Sequence, residues 1–159
     1  MIKQYDRQSA CEYALKWALN FNPNFYNFEE IGGDCTNYIS QCLLNGGAVM
    51  NYNQNNGWFY INSYKRSPSW TSVKFLQEFL LTNKQKGPFG HIVPLSQIQV
   101  GDIIQLKQNP LNFNHSVIVT KIQNNEIYVC AHTNNALNKS LSSYFYLNIL
   151  PIHIDGIYI

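Results

Sequence analysis

Charge is scarce in this chain: Asp, Glu, Lys and Arg make up 13% of its 159 residues, about half the usual share of a globular protein. The net formal charge is only +2, which excludes the strongly basic footprint of a nucleic-acid binder. No segment approaches the ~18 consecutive apolar residues of a membrane span. The opening Met1-Ile2-Lys3-Gln4-Tyr5-Asp6-Arg7 lacks the apolar core of a signal peptide. A leader removed earlier would leave secretion or direction to a cell wall open. The four cysteines form no CxxC pair and share no ligand spacing with the histidines, so neither a metal site nor a dithiol redox motif is expected. No internal repeat is present. Asparagine and tyrosine supply the missing polarity, a bias that a skewed genome composition accounts for.

What is there suits one domain over 1–159, long enough to bury a core without disulfides or metals, and a monomer is expected. From Asp6 to Phe21, apolar residues recur at Ala10, Tyr13, Ala14, Trp17, Ala18 and Phe21. That is the rhythm of one helical face, which Asn22-Pro23 ends. A second helix, from Cys35 to a C-cap at Gly46-Gly47, has a buried stripe of Tyr38, Ile39, Cys42 and Leu43. Residues 51–68 read as a long, partly ordered connection. A third helix starts at Ser69 or Thr71 and runs to Asn83. Beyond Gly90 the period changes to that of strands: Ile103 to Leu106, Ser116 to Ile122, Glu126 to His132 and Tyr144 to Ile154, the second and third joined by a turn at Asn124-Asn125. Helices first and strands later predict α+β, with N-terminal helices packed on an antiparallel sheet.

The run Gly32-Gly33-Asp34-Cys35 carries the chemistry. Two glycines permit a tight turn, Asp34 stands at a helix N-cap, and Cys35 falls in the first turn, where unpaired N–H groups and the helix dipole favour an anion. A thiol so placed is expected to ionise more readily than a free cysteine. Such a nucleophile needs a base, and the base needs an orienting group. His115, at the mouth of the apolar strand Val117-Ile118-Val119, is the candidate base. His132, at the end of the next strand, is the expected third residue because antiparallel pairing brings the start of one strand beside the end of the next. Asn134 is the alternative. The backbone N–H of Cys35 is the expected oxyanion donor. Trp58, Tyr60 and Trp70 are candidates to line the cleft and stack on substrate. Asp34 is read as a structural cap.

The local words are more specific than the order Cys, His, polar. Tyr5-Asp6-Arg7, Tyr13-Ala14, Trp17-Ala18, Asp34-Cys35-Thr36-Asn37-Tyr38, Ser40-Gln41, Gly46-Gly47, Trp58-Phe59-Tyr60, Ser69-Trp70-Thr71, Gly101-Asp102, His115-Ser116-Val117-Ile118-Val119-Thr120 and His132-Thr133 together closely resemble the bacterial putative amidase domain family, itself similar to NlpC-type and CHAP cell-wall hydrolases. The resemblance runs from about Tyr5 to Ile154. It implies a papain-like fold and cleavage of an amide bond through Cys35 and His115, with peptidoglycan peptides as the candidate substrate class. It implies no cofactor. Two rivals use the same scaffold: an acyl or amide transferase or deamidase with the same dyad, and a non-catalytic wall-binding or effector module.

Overall fold

The computed structural model describes residues 1–159. The elements follow in the order β1 (Ile2–Lys3), α1 (Arg7–Trp17), α2 (Cys35–Asn45), β2 (Tyr60–Asn62), β3 (Lys65–Arg66), α3 (Pro68–Thr71), α4 (Val73–Thr82), β4 (Gly87–Ile92), β5 (Ile103–Lys107), β6 (His115–Gln123), β7 (Glu126–Ala131), β8 (Ala136–Ser140) and β9 (Asn148–Tyr158). This is α+β with an antiparallel sheet. Its main path is β1-β9-β5-β6-β7-β8, and β4 also pairs with β9.

Each helix has a local cause. Asp6 caps α1, its side chain accepting from the Ser9 N–H at 3.0 Å, and the face Ala10, Tyr13, Ala14 is buried. The helix stops at Trp17, short of the expected Phe21. In α2 the residues from Cys35 to Leu43 are all buried, because one side packs on α1 and the other on β6 and α3. The expected third helix is two. Ser72 is extended, with φ −108 and ψ 130, and caps α4 by accepting from the Phe75 N–H at 3.3 Å.

The alternation rule explains the sheet. In β5, Ile103 joins a core shared with the helices, whereas Ile104 and Leu106 join a second core on the opposite face. In β6, Ile118 belongs to the helix side, and Val117 and Val119 to the other. With both faces covered, the strands read as continuous apolar runs. At the β6–β7 hairpin, Asn124 and Asn125 both take positive φ, 52° and 63°, as a two-residue turn matched to strand twist requires.

Four expectations need correction. The stretch 51–68 is ordered: Asn51 pairs with Trp58 and β2 pairs with β3, its many Asx turns having masked the short strands. β1, β4 and β8 were not expected, being short or rich in Gly, Pro and polar residues. The last strand is Asn148–Tyr158, because Leu141–Ser143 form a helical turn first. Trp58 and Trp70 are fully buried, pack on each other at a tilt with centroids 4.7 Å apart, and bond to Ser40 and Asn37 through their indole N–H groups. They are core residues, with no ring face open to solvent.

Candidate functional site

α2 begins at Cys35 because the chain before it turns through Gly32 and Gly33, at φ 83° and 96°, a region that glycine enters without Cβ strain. Asp34 follows at the N-cap with φ −112 and ψ 3, but its side chain caps no helical N–H. The expected side-chain cap is replaced by stronger partners. Oδ1 accepts from the Phe28 N–H at 2.9 Å and from Asn37 Nδ2 at 2.8 Å, and Oδ2 meets His132 Nδ1 at 2.6 Å.

His132 is therefore an anchor for Asp34. Its other nitrogen, Nε2, lies 2.6 Å from the Trp17 carbonyl oxygen, which only accepts, so Nε2 carries a hydrogen. The ring stacks on Tyr38 with centroids 4.1 Å apart and planes 17° apart. Both nitrogens are committed, and neither bonds to His115. The physical reason is the pleat. The β6–β7 register pairs Ile118 with Cys130, both on the helix side. His132, two residues beyond Cys130, keeps that side; His115, three before Ile118, takes the other. The two strand ends meet as expected, but the two imidazoles point to opposite faces.

Cys35 is 8% exposed, and its sulfur meets β6. The Ser116 N–H lies beside it, and Thr36 Oγ1 lies 3.7 Å from Sγ. Thr36 Oγ1 is in turn 3.2 Å from Ser116 Oγ. Gln105 donates to that hydroxyl at 3.2 Å and to the Val73 carbonyl at 3.0 Å, which ties the site to the start of α4. Burial pushes the Cys35 thiol above its ordinary value, and Asp34 adds to this, while the Ser116 and Thr36 donors oppose it. The expected easy ionisation is thus overturned by desolvation.

His115, the residue next to Ser116, is 7% exposed. Burial and, secondarily, the charge of Lys139 hold its pKa down to about 4. At neutral pH a neutral imidazole and a neutral thiol therefore stand on adjoining elements. The structure places the thiol against the backbone of Ser116, one residue from the imidazole, with no hydrogen bond between the two side chains.

His115 lines a cleft of about 320 Å³ with Thr133, Asn134, Lys139, Tyr144 and neighbouring polar residues. Asn134 is exposed at φ 62°, on the same cleft as His115. Tyr60 is half-buried against Phe25 and Trp70, and its hydroxyl oxygen accepts from the Tyr26 N–H at 2.8 Å, so it also serves the fold. Another recess, about 370 Å³ between 54–57, 67–69 and α4, contains neither cysteine nor histidine.

Sequence reading missed Ser116, Thr133, Lys139 and Tyr144. Thr133 sits at φ 59°, a strained conformation for a β-branched residue. Its hydroxyl accepts from the Asp34 N–H at 2.8 Å, and its own N–H donates to Glu29 at 2.7 Å. This clamp fixes the entrance of α2. Its only sequence signal was its position directly after His132.

A family model described as "Putative amidase domain" matches residues 4–154. Among curated proteins, the chain is 34% identical to "Uncharacterized protein YhbB" of Bacillus subtilis (strain 168) over 134 residues, 82% of this chain and 42% of that protein. It is 28% identical to "Uncharacterized protein YjcM" of the same organism over 148 residues, 86% of this chain and 33% of that protein. The chain thus spans less than half the length of either relative. No solved structure matches it.

Proposed function

Since the chain belongs to the putative amidase domain family, we propose that residues 1–159 act as one cysteine-dependent amidase unit of papain-like design, with Cys35 as nucleophile and His115 as base. One observation carries this reading: the Cys35 sulfur, at the first residue of α2, faces the N–H of Ser116, the residue beside His115.

Because both groups rest neutral, the proton leaves Cys35 as the carbon–sulfur bond forms, passing to His115 once its side chain turns toward the thiol. Catalytic hydrogen bonds commonly tighten only with substrate bound. The N–H of Cys35, without an intrahelical acceptor at a helix start, donates to the developing oxyanion. His115 then protonates the leaving amine, and water hydrolyses the thioester, regenerating the thiol. Asn134, on the cleft shared with His115, is the better candidate to orient the imidazole, since His132 is committed to Asp34. Amides of peptidoglycan stem peptides are the substrates to try first, by family kinship.

The test is digestion of purified peptidoglycan and of a mixed peptide-amide library, with new carboxyl and amine ends identified by mass spectrometry. Wild type should release products, and Cys35→Ala and His115→Ala should each release at least about 100-fold less. Undiminished cleavage by Cys35→Ala would end the cysteine mechanism. Cleavage of library amides but not of any wall preparation would end the peptidoglycan assignment.

A further inference from the structure

The cleft beside His115 contains two groups that the chemistry above leaves unused. The Tyr144 hydroxyl is buried and has no hydrogen-bond partner within the protein. The Lys139 ammonium lies over the ring of the same tyrosine, 4.3 Å from its centroid. Lys139 joins no ion pair; those of the chain involve Arg7, His91, His132 and His153. Glu126, on the neighbouring strand, is engaged instead by Ser140 and Ser142. No Asp or Glu lines the cleft, and Lys139 is its one formally charged residue.

We infer that this cleft receives a free carboxylate, held first by the exposed Lys139 ammonium and then, as the lysine chain lifts off the Tyr144 ring, by the buried Tyr144 hydroxyl, and so selects amides bearing a carboxylate near the bond to be cut. The inference rests on the proposed amide chemistry only for the second half of that sentence. A buried hydroxyl left unpaired costs free energy, and an anionic oxygen is the partner that satisfies it and the lysine together. A cationic ligand would meet the lysine's repulsion, and a neutral amide would leave its charge unmatched. A single ammonium matches a monoanion, which favours a carboxylate over a phosphate. A bound carboxylate also has a consequence for the base. It offsets the positive charge that helps hold the His115 pKa down, so the imidazole gains proton affinity when the substrate arrives.

The experiment is a binding titration followed by NMR on full-length Cys35→Ala protein, so that nothing is turned over. The probes are N-acetylglycylglycine, its C-terminal carboxamide, and inorganic phosphate. The carboxylate should bind roughly tenfold more tightly than the carboxamide, with shifts at 133–145. Lys139→Gln should remove that preference. Tyr144→Phe should weaken the carboxylate roughly threefold and leave the carboxamide unchanged. Equal affinity of the two peptides, absence of binding by both at millimolar concentration, or a preference that survives Lys139→Gln overturns the inference. Tighter binding of phosphate than of the carboxylate overturns the carboxylate assignment. Because binding is read without turnover, this result and the fate of Cys35→Ala in cleavage assays are independent.

Discussion

His115 makes the protein sensitive to mild acid, and the size of the effect follows from its environment. In the unfolded chain its imidazole binds a proton below an ordinary pKa near 6.5; in the folded chain burial and Lys139 delay this to about 4. The unfolded state therefore binds more protons throughout that window, and stability present above pH 6.5 is lost as pH falls toward 4. A difference of about 2.5, at about 1.36 kcal/mol for each pKa unit, gives about 3 kcal/mol. That is a large part of the ~5–15 kcal/mol that holds a domain together. Urea unfolding of wild type and His115→Gln, followed by fluorescence at pH 7 and pH 4, isolates the contribution. The His132–Asp34 pair and the carboxylates are common to both proteins and cancel in the difference. Wild type should lose about 3 kcal/mol more than the variant. Equal losses would refute the assignment of a desolvated, electrostatically suppressed imidazole.

Other outcomes follow from the same contacts. Replacing His132 with Phe leaves the buried Asp34 carboxylate unpaired and should cost about 3–5 kcal/mol in urea unfolding; a loss below about 1 kcal/mol would show that Asp34 does not depend on the pair. Trp58→Ala and Trp70→Ala should each cost about 3–5 kcal/mol while leaving KM of the folded fraction unchanged, so a selective rise in KM would restore the stacking role. Tyr144→Phe removes a buried, unpartnered hydroxyl and should raise stability by about 1–3 kcal/mol in the absence of ligand; destabilisation would mean that the hydroxyl has a partner in solution. Alkylation of Cys35 by iodoacetamide, mapped by mass spectrometry, should reach its half-maximal rate above the ordinary cysteine pKa of about 8.5, because burial raises the thiol. A midpoint below pH 7 would contradict this.

How far the site could be read from residues alone depended on whether the signal was local. Gly32-Gly33-Asp34 announces a helix start, and the strand Val117-Ile118-Val119 announces itself by its apolar run; both stand where expected. The partnership of His132 was not legible, because it turns on pleat parity: one residue of phase decides which face an imidazole joins. The raised pKa of Cys35 was also hidden, since the N-terminal helix position favours the thiolate, whereas burial, a property of the whole fold, opposes it. Trp58 and Trp70 failed as cleft residues for a related reason. Residue type alone allowed both a cleft and a core role for them; Asn51 and Ser67 fold the stretch on itself, and bonds to Ser40 and Asn37 fix both indoles against α2.

The sheet topology has a consequence for how the molecule is made. β9 is the partner of β1, β4 and β5, all of which precede it in the chain. On the ribosome those three strands wait for 148–158, and β1 waits while everything between Lys3 and Asn148 is made. The hairpin of β6 and β7, with the helix that carries Cys35 packed against it, needs nothing from the last segment and can form early. The part that carries Cys35 can thus assemble before β9 closes the framework. Closure between partners so distant in sequence is slow. A nascent chain arrested before Asn148 would already present the thiol while the edges of β4 and β5 remained open.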